Sequence, residues 1–103
     1  MIARIWTARA DEARADDYAD HFRDSVLPQL RAVPGFVRAS LMARVHGDET
    51  CFTVITLWRS MDAVKAFAGE DPSRAVVAPD AAAALKSFDG FVTHHEVVED
   101  AAA

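Results

Sequence analysis

The chain has 103 residues, 51% apolar and 26% charged, with a formal net charge of −5, which is the size of one compact domain and leaves no room for a second core. With 16 Asp and Glu against 11 Lys and Arg and no basic run, it lacks the electrostatic footprint of a nucleic-acid or anionic-membrane binder, so a small organic ligand is the expected partner. Cys51 is the only cysteine, which excludes an internal disulfide and a paired-thiol metal site; the amino terminus turns polar by Arg9, too soon for a signal peptide or a membrane span, and a cytoplasmic location is expected.

Residues 1–7 are short and strand-preferring and form the first strand. Over 16–33 the apolar residues Tyr18, Phe22, Val26, Leu30 and Val33 fall on one helical stripe, opposite Asp17, Asp20, Arg23, Asp24 and Arg31. Pro28 removes one hydrogen bond from this helix and predicts a kink, and Pro34-Gly35 ends it. Residues 36–44 and 50–58 are extended and joined by a turn of hairpin length, His46-Gly47-Asp48-Glu49. Ser60 caps the next helix, in which Val64 and Phe67 point inward until Gly69 and Asp71-Pro72 interrupt it. The alanine-rich stretch 73–88 predicts two short helical pieces joined at Pro79. Asp89-Gly90 turns the chain into a last strand over 91–99, and 100–103 is a frayed tail outside the single domain of 1–99.

The order β, α, β, β, α, β defines an α+β fold of ferredoxin-like type: a four-stranded antiparallel sheet, strands in spatial order four, one, three, two, with both helical segments on one face. Alternation assigns Ala3, Ile5, Val37, Ala39, Leu41, Ile55 and Leu57 to the side under the helices. The other side then holds Arg4, Trp6, Arg38, Ser40, Met42, Phe52, Val54, Thr56 and Trp58. A face with two Trp, a Phe and a Met is too apolar to leave in water, and a second copy of the chain is expected to cover it, giving a homodimer through Trp6 and Trp58.

Three stretches resemble the antibiotic biosynthesis monooxygenase family: Met1-Ile2-Ala3-Arg4, the run Leu57-Trp58-Arg59-Ser60-Met61-Asp62-Ala63-Val64-Lys65-Ala66-Phe67-Ala68-Gly69, and His94-His95-Glu96-Val97. The resemblance spans nearly the whole chain and implies a dimeric α+β barrel, two ferredoxin-like sheets closed face to face. It also implies a choice of activities, since the family includes cofactor-independent oxygenases of polycyclic phenols, haem-degrading monooxygenases and quinol oxygenases. Haem-degrading members share an Asn near the end of the first strand, a Trp on the second helix and a His ligand further along. The corresponding positions are Thr7, Phe67 and about Val77, and the chain has no Asn, which ranks haem cleavage below a small-aromatic substrate.

His94 and His95 are strand neighbours on opposite faces, so they cannot share one metal, and no metal site is expected. His95, on the face of Phe91 and Val97, is expected to look toward the helices, where the family places its ligand cleft, as the general base for a phenol or hydroquinone. His94, with Glu96 near the dimer seam, is the alternative base, and the plain alternative for either is a hydrogen-bonded strand histidine. Trp58 with Trp6 either lines an aromatic cavity or anchors packing, and Tyr18 and Phe22 either wall a cleft or fill the core. Phe67 is a further cleft candidate. Arg4 and Glu96 are expected to pair as ions, and Arg38 is a candidate anion clamp. No phosphate loop, nucleophile elbow or zinc spacing is present. The reading is a monooxygenase-like protein that uses no bound cofactor and acts on a small aromatic, phenol or quinol. The alternative is a non-catalytic ligand-binding or stress-response dimer.

Overall fold

The computed structural model describes residues 1–103. Strand β1 (Ile2–Asp11) runs four residues beyond the expected Thr7 and pairs along its whole length with β3 (Glu49–Trp58), from Ile2 opposite Trp58 to Asp11 opposite Glu49. Strand β2 (Phe36–His46) forms the hairpin with β3 across a turn in which Gly47 takes φ +64°. On the far edge, β4 (Ser87–Phe88) and β5 (Thr93–Glu96) pair with different stretches of β1, so the order four, one, three, two holds with its last strand in two pieces. The expected single strand over 91–99 is thus corrected. Asp89-Gly90 breaks the edge, and Phe91 forms a bridge with Arg74 instead.

A 3-10 turn (Glu12–Arg14) leads into α1 (Ala15–His21), a widened π turn (Phe22–Val26) and α2 (Leu27–Arg31), which together make one rod. Its irregularity sits immediately before Pro28. The Leu27 N–H reaches back to the Phe22 carbonyl, five residues away rather than four, and Pro28 has no N–H with which to bond Asp24. Gly35, at φ +93°, turns the chain into β2, and its carbonyl accepts from the Arg59 N–H at 2.8 Å. Helix α3 (Met61–Ala68) is capped by the Ser60 hydroxyl, which accepts from the Ala63 N–H at 3.2 Å. The stretch expected to be two helical pieces has only one, α4 (Pro79–Ala84). Pro79 starts that helix rather than joining two, because a proline in the first turn gives up an N–H that has no partner anyway. Residues 73–78 instead form no helix and are tied to the sheet edge, with Ala75 N–H bonded to the Gly90 carbonyl and Val92 N–H to that of Ser73. No helix is long and apolar enough to cross a membrane.

The structure reverses the faces of β1 and β3. Arg4, Ala8 and Ala10 on β1 and Phe52, Val54, Thr56 and Trp58 on β3 are buried beneath the helices, and Trp6 shares their side by register. Ala3, Ile5, Ile55 and Leu57 take the helix-free face. Trp58 is 0% exposed within a single chain, packed between Phe36 and Phe67 with ring centroids at 5.4 and 5.5 Å. Its Nε1–H is satisfied by the Thr56 hydroxyl at 2.8 Å. A dimer seam through Trp6 and Trp58 is therefore excluded. On β2 the assignment holds for Ala39 and Leu41, with Arg38, Ser40 and Met42 outside, but the register shift between Phe36 and Arg38 puts Phe36 in the helix-side core where Val37 was expected. Large side chains fill the space between rod and sheet in two clusters. One gathers Tyr18, Phe22, Phe52, Val54, Ala81 and Ala84; the other gathers Leu30, Trp58, Ala63 and Val64. Each fully buried large apolar side chain contributes about 1.5–3 kcal/mol.

Candidate functional site

Between the rod, the sheet and residues 76–78 lies a cleft with a cavity volume of about 90 Å³. The rod contributes Tyr18, His21, Phe22, Ser25, Val26, Gln29 and Leu30, a set that only a helical period brings to one side. The sheet contributes Arg4, Trp6, Val54 and Thr56, the residue before β5 gives Val92, α3 gives Phe67 and α4 gives Ala81. Twelve of the 17 lining residues are hydrophobic, so a ligand here meets chiefly apolar walls and a few polar points that can orient it. Trp6 is held by its indole N–H, which donates to the Asp89 carbonyl at 2.7 Å, and it packs on Tyr18 with ring centroids at 6.1 Å. Tyr18 in turn meets Phe52 at 5.1 Å. Burial pushes the Tyr18 hydroxyl up to about 12, so it stays a protonated donor at neutral pH.

Arg4 is the one charged side chain among the buried residues, at 5% exposure. Its Nη1 donates to the Pro72 carbonyl and lies 3.0 Å from His94 Nε2, and its Nη2 donates to the Arg74 carbonyl at 2.9 Å. A guanidinium has donors only, so His94 Nε2 must accept, and His94 is neutral with its proton on Nδ1. Burial, then the nearby charges of Arg4 and His95, hold the His94 imidazole below its ordinary value. Burial also lowers Arg4, which remains a cation at neutral pH. The expected Arg4–Glu96 ion pair is absent: the two residues lie on adjacent strands, but Arg4 turns to the 72–74 carbonyls.

The two histidines are exchanged relative to expectation. β5 pairs with β1 with His94 opposite Arg4 and His95 opposite Ala3, so His94 shares the helix side and His95 the helix-free side. There His95 is exposed, with Nε2 3.0 Å from the Thr93 hydroxyl. Tyr18, Phe22 and Phe67 stand in the cleft wall, whereas Trp58 lies in the core beneath it. Arg38 is on the opposite face, exposed, 3.7 Å from the Asp100 carboxylate. Trp6, named with Trp58 as a possible cavity residue, lines the cleft, whereas two lining residues of chemical interest were not placed there by sequence reasoning: Arg4, which was given to an ion pair, and His21. His21 was legible from its spacing, since it stands three residues after Tyr18 and four before Ser25 on the rod. No group of three or more His, Cys, Asp or Glu side chains is arranged to hold a metal ion.

The family model described as antibiotic biosynthesis monooxygenase matches residues 1–79. The chain belongs to this family. Its fold is shared by a candidate antibiotic biosynthesis monooxygenase from Caulobacter crescentus, with a TM-score of 0.70 at 21% identity over 95% of this chain and 90% of that one. The haem degrader MhuD from Mycobacterium tuberculosis, solved with two haems in its active site, has a TM-score of 0.66 at 22% identity over 99% and 100% of the chains. SnoaB, a cofactor-independent oxygenase from Streptomyces nogalater, has a TM-score of 0.59 at 17% identity over 96% and 92%. No curated protein matches the chain.

Proposed function

We propose that this member of the antibiotic biosynthesis monooxygenase family oxygenates a small electron-rich aromatic, a phenol or quinol, in the cleft between the helical rod and the sheet. The observation that carries the reading is the composition of that cleft: apolar and aromatic walls, a buried cation at Arg4 and an imidazole at His21. His21 is the histidine in the lining, whereas the Nε2 lone pair of His94 is engaged by Arg4. His21 would act as base, removing the phenolic proton, and the dry walls and Arg4 would stabilise the anion that then reduces O₂. The overall step balances as the CH₂ carbon of the phenol's keto tautomer plus O₂ giving a C=O carbon plus water, with one oxygen atom retained and both hydrogens lost to the other. SnoaB supports this chemistry by analogy of fold.

Haem cleavage fits these residues less well. Val77, close to the position of the family's ligand, offers no donor atom, and Thr7 points to the helix-free side and bonds Asp89. No step through haem is derived. Two copies are proposed to meet through the helix-free face, where Ile5 and Ile55 are half-buried and Met42 is 47% exposed.

Oxygen uptake with a panel of hydroquinones and hydroxylated anthrones tests the proposal. Wild type should consume O₂, and His21→Ala should lower kcat about 10²–10⁴-fold, while His95→Ala should leave it unchanged. Tight binding of the same compounds without any uptake would replace the enzymatic reading by ligand binding alone.

A further inference from the structure

A buried guanidinium with no carboxylate beside it calls for an account. Every ion pair in the chain involves other residues, so the charge of Arg4 is answered by two neutral carbonyls and a neutral imidazole. Of its five N–H donors, Nη1 uses both, toward Pro72 and His94, and Nη2 uses one, toward Arg74. The remaining two lie on Nε and Nη2, which form one edge of the guanidinium plane. No fully buried side-chain nitrogen or oxygen in the chain lacks a partner, so Nε, which makes no hydrogen bond, is accessible, and Arg4 lines the cleft. Two coplanar donors on a fixed cation, at the wall of an apolar cavity, match the two oxygens of a carboxylate. A phosphate would leave charge uncompensated, because Arg4 is the only Arg or Lys in the lining.

We infer that the cleft selects ligands bearing a carboxylate on an aromatic body, and that Arg4 is the residue that reads the carboxylate. The inference rests on the cleft being the ligand site and adds the charge of the ligand to it. Backbone carbonyls at Pro72 and Arg74 hold the guanidinium in place before the ligand arrives, so little side-chain order remains to be imposed on binding.

Calorimetric titration at neutral pH with 2-naphthoate, its methyl ester and 2-naphthol separates the possibilities. Wild type should bind the acid about ten- to hundredfold more tightly than the two neutral compounds. Arg4→Gln should erase that preference, and Arg4→Lys should keep part of it. Equal affinity for the three compounds would overturn the inference while leaving the cleft as an aromatic site. Failure of all three to bind would overturn it together with the cleft, whereas oxygen uptake on neutral quinols stands or falls separately. If Arg4→Gln does not fold, the comparison of acid with ester on the wild-type protein decides alone.

Discussion

Replacing Trp58 by alanine tests the placement of the sheet's two faces. Trp58 is fully buried in one chain, against Phe36, Phe67, Leu30 and Val64. Truncating such a side chain costs about 3–5 kcal/mol in lost transfer energy and cavity formation. The Thr56 hydroxyl loses its indole donor but can rotate to another partner, which adds at most about 1 kcal/mol. A domain of this size has about 5–15 kcal/mol in total, so the variant should fold, close to the margin. With a urea dependence of about 2 kcal/mol per molar, the midpoint should fall by about 2 M. Far-ultraviolet circular dichroism in urea, at two protein concentrations, reads this directly, and the shift should be the same at both. If the variant instead unfolds at the wild-type midpoint and only its self-association weakens, Trp58 belongs to a contact between subunits and the face assignment is wrong.

Gly35→Ala should cost about 2–6 kcal/mol, from a backbone at φ +93° and from a Cβ placed 2.6 Å from that of Ala63; adding Ala63→Gly should recover only the second part, and a neutral Gly35→Ala would refute both causes. Tyr18 is the sole tyrosine, so tyrosinate absorbance follows it alone, and ionisation should centre near 12 in the folded protein. Because its folded value lies above the ordinary 10.0, its contribution to stability is complete below that pH and is lost as pH rises toward 12; Tyr18→Phe should flatten the loss. For His94 the direction is opposite. The folded chain binds this proton less readily than the unfolded one, so stability is complete above 6.5 and declines as pH falls below it. Thermal midpoints on either side of that value should differ more for wild type than for His94→Gln, and equal differences would remove His94 as the cause.

Much of the fold could be read from residue spacing. The rod followed from Tyr18, Phe22 and Leu30, the capped helix from Ser60, and the hairpin from Gly47. The facing of β1 and β3 was less legible, because both sides of these strands carry apolar residues: Ile2 and Trp6 against Ala3 and Ile5, Val54 and Trp58 against Ile55 and Leu57. The deciding signal lies past Thr7. There the alternation continues as Thr7, Arg9 and Asp11 outward against Ala8 and Ala10 inward, and ending the strand at Thr7 discarded it. The error then passed to His94 and His95, whose sides are fixed by pairing with Arg4 and Ala3. Arg4 was assigned to an ion pair with Glu96 for a different reason. A lone arginine on a helix-covered face contradicts hydrophobic patterning, and the carbonyls that accept from it are supplied by residues 72–74, about seventy positions away in sequence.

The π turn has a consequence for how the chain tolerates insertion and deletion. In a regular helix Leu30 would stand about 120° around from Tyr18, and one extra residue absorbed without rotation reduces that to about 20°. Both residues can therefore reach the sheet only because the turn is there. Deleting one residue between 22 and 26 would return the stretch to a regular helix with Leu30 still about 20° from Tyr18, whereas inserting one would carry Leu30 about 100° further round, out of the interior, and Gln29 away from the cleft. A single-residue insertion in this stretch should therefore be far more damaging than a single-residue deletion there or a substitution at its outward positions.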